Sequence, residues 1–387
     1  MSKFAITTKI YFGDGATEEA LAMLRMLGYS QVMFLADAAL VTTPAMAALH
    51  AAHVKAGFSI QSVQSYCAKQ EPSYDELDRV TDSLRALPVP DVIVAVGGGT
   101  VLDLAKGVGI LLKNPGKGLD YRGMDKVQTP GVPVVCFPAT AGTGSEVTHT
   151  ASFIDTKTQT KLGINGRFVA PLCGVLVPAL TLSCPRSVTL YAGLDAMLHA
   201  LEAATAKTAT ALTVRIGADA FALLFENLPL VLRDPQNETA RANVLLGSYW
   251  AGVAMMNAGG GPASGISYPL GVHFSVPHGL AGGIFLAPVA ALNVSRGYTG
   301  YVPVYDRLPG SNSGLSDAAK SSEFARKLVS FYRELGGPAT LQAFGVTRAQ
   351  VTLLTQLTMD QRVANLELNP VPVSRADVEQ LLQSVTI

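Results

Sequence analysis

The 387-residue sequence predicts an α/β N-terminal half, a parallel sheet flanked by helices, followed by an all-α C-terminal half. Three observations carry this expectation. Up to about residue 178, short β-branched runs alternate with segments of helical period, the pattern of βαβ units. From Thr181 onward strand signals fade and long apolar-periodic helices take over. Apolar residues make up 49% of the chain and charged residues 15%, which points to a large buried interior or an oligomer interface and away from disorder. The length suits two domains, and the composition shift places their boundary at 180/181, dividing 1–180 from 181–387.

In the first half QVMFLAD (31–37), FSIQSVQSY and DVIVAVGGG read as buried strands, separated by the helical segments AMAALHAAHVKAG and YDELDRVTDSLRAL. VPVVCFP (132–138) and GVLVP (174–178) read as two more strands. Between them THTASFIDTKTQTKLGI reads as an antiparallel hairpin turning near Asp155 to Gln159. In the second half GLDAMLHALEAATA, LTVRIGADAFALLFENLPLVL, ARANVLLGSYWAGVAMMNA and SEFARKLVSFYRELG are helical, and PGSNSGLSD (309–317) reads as a surface loop.

The 29 basic and 29 acidic residues balance, so charge argues for neither nucleic acid nor a membrane surface as partner. No uninterrupted apolar run approaches the roughly 20 residues of a spanning helix. Cys67, Cys136, Cys173 and Cys184 form no CxxC pair, and MSKFAITTKIYFG lacks the apolar core of a signal peptide. A reducing, cytoplasmic setting is the expectation.

DVIVAVGGGTVLDLAKGVG sets three glycines directly after a buried strand and opens a helix at Thr100. Amides at a helix start carry partial positive charge, and glycines let a pyrophosphate approach the backbone. The pattern is GGG-T-x-x-D-x-x-K, neither GxGxxG nor a P-loop. It reads equally as a tight turn without ligand, and Asp103 and Lys106 as a dipole-favoured acid and a solvated base. A second segment, CFPATAGTGSEVT (136–148), places Thr140, Thr143, Ser145 and Thr148 after another strand. There they would hold phosphate, ribose or an amide ring, or form a capping loop around Ser145 and Glu146. Asp37 closes QVMFLAD. An acid there accepts from both ribose hydroxyls of adenosine and repels a 2′-phosphate, favouring NAD over NADP, although a strand-end aspartate is also an ordinary turn-former.

Taken together these segments resemble the iron-containing (group III) alcohol dehydrogenase family. The likeness runs nearly end to end through YFGDG, GGGTVLDLAK, FPATAGTGSEVT, KLGI (161–164), YAGLDAMLHALEA, AGVAMMNAGGG and YPLGVHFSVPHG. The resemblance implies an N-terminal dinucleotide-binding α/β domain and a helical C-terminal domain, an architecture shared with dehydroquinate-synthase-like enzymes, with the active site between the two. Carried over, the NAD-contacting positions fall on Asp37, Gly97, Gly98, Gly99, Thr100, Asp103, Thr140, Thr143, Thr148, Lys161 and Leu180.

In GLDAMLHALEA, Asp195 and His199 are four apart, so a helix projects both from one face, where they can clamp one ion; such a pair alone reads more readily as a surface or capping interaction, and the resemblance favours the ion. The resemblance makes His278 of VPHG the last metal ligand. It also implies two further histidines, fourteen and ten residues earlier, one on the metal and one near the substrate. This sequence has Ser264 and Tyr268 there. Asp195, His199 and His278 still suffice for Fe²⁺ or Zn²⁺ with water or substrate completing the shell, and His273 is a candidate substitute ligand. His50, His53 and His149 lie outside this set.

The implied reaction is reversible hydride transfer between NAD(H) and a small-molecule alcohol or aldehyde, with a metal ion polarising the oxygen. In a metal-free version Tyr268, His273 or His278 supplies the hydrogen bond or proton; Tyr268 reads equally as an aromatic packed beside Pro269 and Leu270. A sugar cyclase that uses NAD transiently and a nucleotide-binding pseudoenzyme are the rival readings. The loss of two imidazoles suggests a substrate more polar than a short alkanol, a sugar or an acidic aldehyde. The resemblance further implies a homodimer or larger homo-oligomer.

Overall fold

A computed structural model describes residues 4–67 and 71–386. The chain forms two compact units, residues 6–184 and residues 185 onward, the latter joined by Phe4 and Ala5. The division falls after Cys184 because the 3₁₀ turn Pro178–Thr181 still packs Leu180 into the core of the first unit. Ala5 belongs with the second through Asn257, whose Oδ1 accepts from its amide at 2.7 Å and whose Nδ2 donates to its carbonyl at 3.0 Å.

In the first unit the chain runs β1 (Lys9–Phe12), α1 (Ala16–Met26), β2 (Gln31–Asp37), α2 (Pro44–Lys55), β3 (Ser59–Tyr66), α3 (Tyr74–Leu84), β4 (Val92–Gly97) and α4 (Gly99–Lys113). Then come β5 (Gly123–Met124), β6 (Val134–Pro138), four two-residue strands, β7 (Thr150–Ala151), β8 (Ile154–Asp155), β9 (Thr160–Lys161) and β10 (Ile164–Asn165), and finally β11 (Cys173–Leu176). The main sheet is fully parallel, in the order β1-β11-β6-β4-β2-β3. Successive strand residues face opposite layers: Met33, Leu35, Ile93 and Ala95 pack with Leu77 and Leu104 of α3 and α4. Val32, Phe34, Val94 and Val96 pack with Leu21, Leu24 and Leu49 of α1 and α2. Burial on both faces explains why these strands read as continuous apolar runs rather than alternating ones.

The connections after β2 and β4 leave in opposite directions, to β3 on one side and to β6 on the other, so the carboxyl ends of β2 and β4 form a topological switch point. Asp37 ends β2 and Gly97 ends β4, beside Pro138 of β6. The expected hairpin forms between β8 and β9, its turn held by the Asp155 carboxylate accepting from the Lys157 and Thr158 amides.

His53 is fully buried against Phe34, Phe58 and Phe137, with Nδ1 2.8 Å from the Leu49 carbonyl. Burial disfavours the imidazolium and pulls its pKa down to about 4. Below about pH 6.5 the unfolded chain takes up a proton that the folded chain refuses, so stability falls from there to about pH 4. The loss amounts to roughly 3 kcal/mol. His53→Leu is expected to flatten that part of the stability profile in denaturant titrations at pH 7 and 4.5; equal slopes in variant and parent would contradict this.

In the second unit α5 (Arg186–Thr205), α6 (Ala211–Arg233) and α7 (Glu238–Ala258) pack together. They are followed by α8 (Pro262–Phe274), α9 (His278–Gly283), α10 (Leu286–Ser295), α11 (Val302–Tyr305), α12 (Asp317–Glu334), α13 (Val351–Gln361), α14 (Val363–Glu367) and α15 (Arg375–Ser384). α5 is buried nearly all round and forms the unit's axis. The stretch His278–Ser295 is long and apolar enough for a membrane span, but it is 67% buried and divided between α9 and α10.

Candidate functional site

The second unit brings Asp195, His199 and His278 together, their ligand atoms all within 4.8 Å of one another. Asp195 and His199 share one face of α5, with His199 Nε2 3.5 Å from Asp195 Oδ1. His278 reaches the same oxygen from the start of α9, Nε2 to Oδ1 3.8 Å. Glycines make that reach possible. A Cβ on Gly279 would stand 1.9 Å from the Tyr191 carbonyl oxygen and 2.8 Å from Asp195 Cβ. A Cβ on Gly282 or Gly283 would stand 2.3 Å from Leu198 or 2.7 Å from Leu194, so α9 lies directly on α5.

The donor set fits a divalent ion. Tetrahedral ligands about 2.1 Å from a metal stand ~3.4 Å apart, close to the two separations seen. Asp195 is 2% exposed, and its Oδ1 is buried without a hydrogen-bond donor, a costly arrangement that a cation between the three side chains would resolve. His278 is preset for the task. The Ser267 hydroxyl spends its proton on the Ser264 carbonyl at 2.7 Å and so accepts from His278 Nδ1 at 3.3 Å, leaving the Nε2 lone pair directed at Asp195.

Ser264 does not take the place of an imidazole. Its hydroxyl donates to Glu202 Oε2 at 2.5 Å, and the amides of Gly261, Ala263 and Ser264 donate to the same carboxylate. Glu202, one turn beyond His199, thus caps the N-terminus of α8, whose N-cap Gly261 has no side chain for the purpose. Burial pushes its carboxyl up, opposed by the Ser264 and Gly261 hydrogen bonds and by His199. His273 is not part of the cluster. Nine residues beyond Ser264, at about 100° each, it lies on the opposite side of α8. Burial lowers its pKa, and its Nε2 is buried without a partner. Tyr268 meets the His278 ring edge-on at 5.4 Å, and the Arg362 guanidinium lies 3.6 Å from its ring centre.

In the first unit the glycine turn and the hydroxyl loop pack against one another. α4 begins at Gly99, one residue before the expected Thr100, with Gly98 as an extended N-cap that offers no side-chain hydrogen bond. No acid lies in the first turn, so the helix start remains suited to an anionic group. A Cβ on Gly98 would meet Thr140 Oγ1 at 3.2 Å, and one on Gly99 would meet Thr143 at 2.5 Å; Gly97 is closed in by Val101. The glycines therefore serve close packing of the loop as well as open access to the backbone.

Asp103 is held by the Ser145 hydroxyl at 2.5 Å and the Ser152 amide at 2.9 Å. Lys106 is not a solvated base. It is 2% exposed and donates to the Thr148 and Thr150 carbonyls at 3.3 and 2.8 Å, with Asp103 3.5 Å away. Ser145 ties the loop to α4 rather than capping it, and Glu146 is buried with Oε1 unpartnered, its carboxyl pushed up to about 7 by burial.

Asp37 stands at the switch point and accepts from the Ala39 amide at 3.0 Å, so it also forms the local turn. Lys161 pairs with Glu71 at 2.5 Å. The Leu180 side chain is 1% exposed in the core, leaving only its backbone to meet a ligand. Sequence reasoning missed Glu202, Ser267, Gly279 and Arg362. Only Glu202 left a local signal, its position three residues after His199 and seven after Asp195 on the same helix face.

Known proteins resemble this chain over nearly its whole length. The model of the iron-containing alcohol dehydrogenase family matches residues 7–178, and that of the C-terminal part of the Fe-containing alcohol dehydrogenase family matches residues 189–386. An NAD-dependent methanol dehydrogenase of Bacillus methanolicus is 28% identical over 99% of this chain and 100% of its own. A sulfoacetaldehyde reductase of Bilophila wadsworthia is 30% identical over 97% of each chain. Among solved structures a 1,3-propanediol oxidoreductase superposes with a TM-score of 0.91 at 25% identity, covering 100% of both chains.

Proposed function

The chain belongs to the iron-containing alcohol dehydrogenase family, and from that premise we propose that its Asp195, His199 and His278 hold one catalytic divalent ion without a third imidazole. The enzyme is an NAD-dependent oxidoreductase that interconverts an alcohol and its carbonyl compound by hydride transfer. The buried, donor-less Asp195 Oδ1 between two imidazole nitrogens carries the metal reading. Iron(II) and zinc(II) both suit two nitrogens and one oxygen. When bound, the ion supplies Lewis-acid polarisation of the substrate oxygen and the coenzyme supplies the hydride.

The chain's own groups orient and exchange the proton. Ser267 fixes the His278 tautomer, Glu202 anchors the start of α8, and Tyr268, half-buried beside His278, gives its phenol proton to the substrate oxygen when the alcohol forms and takes a proton back when the alcohol is oxidised. In the other unit Gly97 to Thr100 receive the pyrophosphate, with Asp103, Thr140, Thr143, Thr148, Lys161 and the backbone at Leu180 around the coenzyme. Asp37 takes the adenosine ribose and selects NAD over NADP. A homo-oligomer in the cytoplasm completes the reading.

The test is NADH oxidation, followed at its absorbance band, with a panel of short aldehydes. Turnover is expected, abolished by a chelator and restored by Fe²⁺ or Zn²⁺. Metal-free, chelator-insensitive turnover would instead assign the oxygen to Tyr268 and His278 alone.

A further inference from the structure

We propose that the substrate is a short aldehyde or alcohol carrying a terminal oxyanion, a carboxylate or sulfonate, and that Arg362 is the residue that selects it. The inference rests on the oxidoreductase reading and adds its substrate class.

Arg362 breaks the chain between α13 and α14, with φ −132° and ψ 20°. The break is seated on α8 by Gly265, where a Cβ would meet Asn365 Cβ at 3.0 Å and Arg362 Cβ at 3.6 Å. Gly265 and Tyr268 are three apart on one face of α8, so the close approach that needs the glycine also lays the guanidinium on the phenol ring, 3.6 Å from its centre. The other edge of that phenol meets His278 of the metal triad at 5.4 Å between ring centres. The guanidinium is therefore no farther from the His278 ring than these two separations laid end to end. A four-carbon chain spans about 4 Å at ~1.5 Å per bond, and a polar contact of about 3 Å at each end brings its reach close to that limit.

A planar cation within that reach of His278 matches a molecule with a carbonyl at one end and an oxyanion at the other. Arginine binds such a group through two parallel N–H donors, and stacking restricts it to one orientation. An imidazole at position 268 would offer a smaller face for the same stack. The tyrosine thus has a second task besides its hydroxyl, as the platform that holds Arg362.

The experiment compares kcat/KM for succinic semialdehyde, sulfoacetaldehyde and butanal in the full-length enzyme and in Arg362→Met, Arg362→Lys and Tyr268→Phe. The parent is expected to favour an anionic aldehyde over butanal by at least about tenfold, and the carboxylate and sulfonate arms tell which oxyanion fits. Arg362→Met should raise KM for the anion by roughly 10- to 100-fold and lower the ratio of kcat/KM for the anion to that for butanal by a similar factor. Arg362→Lys should recover part of the loss, and Tyr268→Phe, which keeps the platform, should retain the preference at reduced kcat. Calorimetric binding of 4-hydroxybutyrate against 1-butanol gives a readout independent of turnover. A parent that prefers butanal, or an Arg362→Met enzyme that binds 4-hydroxybutyrate as the parent does, overturns the proposal. Absence of NADH oxidation with all three aldehydes overturns the oxidoreductase reading instead, while the binding comparison still decides the role of Arg362.

Discussion

Gly279→Val is expected to destroy the proposed metal centre. Even the first carbon of a side chain at 279 would lie 1.9 Å from the Tyr191 carbonyl oxygen, a backbone atom in the second turn of α5 that no rotamer change can move. α9 must then lift from α5, and His278, the first residue of α9, moves with it away from Asp195. Overpacking against backbone costs about 3 kcal/mol or more, and metal affinity should fall by at least ~100-fold because one of three ligands is displaced. Thermal unfolding and metal content of the purified variant check both parts. A variant that retains its ion with a parent-like melting temperature would show that α9 is not held where the structure places it.

Asp195→Asn isolates charge from shape. The amide preserves the packing of α5 against α9 but removes the anion that both imidazoles face at 3.5 and 3.8 Å. The expected result is a fall of roughly 10³-fold in kcat at saturating coenzyme and loss of tight metal binding, with coenzyme affinity unchanged. Coenzyme titration by fluorescence, beside steady-state rates, separates these effects. Equal turnover by the variant would remove Asp195 from the chemistry.

Much of the fold was legible because it is written in local periodicity. VMFLA (32–36) and VIVAV (92–96) are apolar at every position, which a strand buried on both faces requires, and they lie in β2 and β4 as read. The Asp195–His199 pair was legible for the same reason, since four residues bring two side chains to one helix face. What escaped was decided by contacts distant in sequence. Lys106 reads as a solvated base on α4, yet carbonyls 42 and 44 residues later enclose it. Ser264 reads as a lost ligand, yet its hydroxyl belongs to a carboxylate 62 residues earlier that caps its own helix. Gly279 and Gly265 carry no local pattern, because what each avoids is an atom of another helix. His273 could have been set aside from the sequence, since its angular offset from Ser264 follows from helix geometry alone.

The most direct test of the three-ligand centre is the coordination of the ion in the enzyme as isolated, by elemental analysis combined with X-ray absorption at the metal edge. One Fe²⁺ or Zn²⁺ per chain is expected, bound by two imidazole nitrogens and one carboxylate with exchangeable water beyond them. A preparation active without metal, or a shell with a third imidazole such as His273, would contradict it.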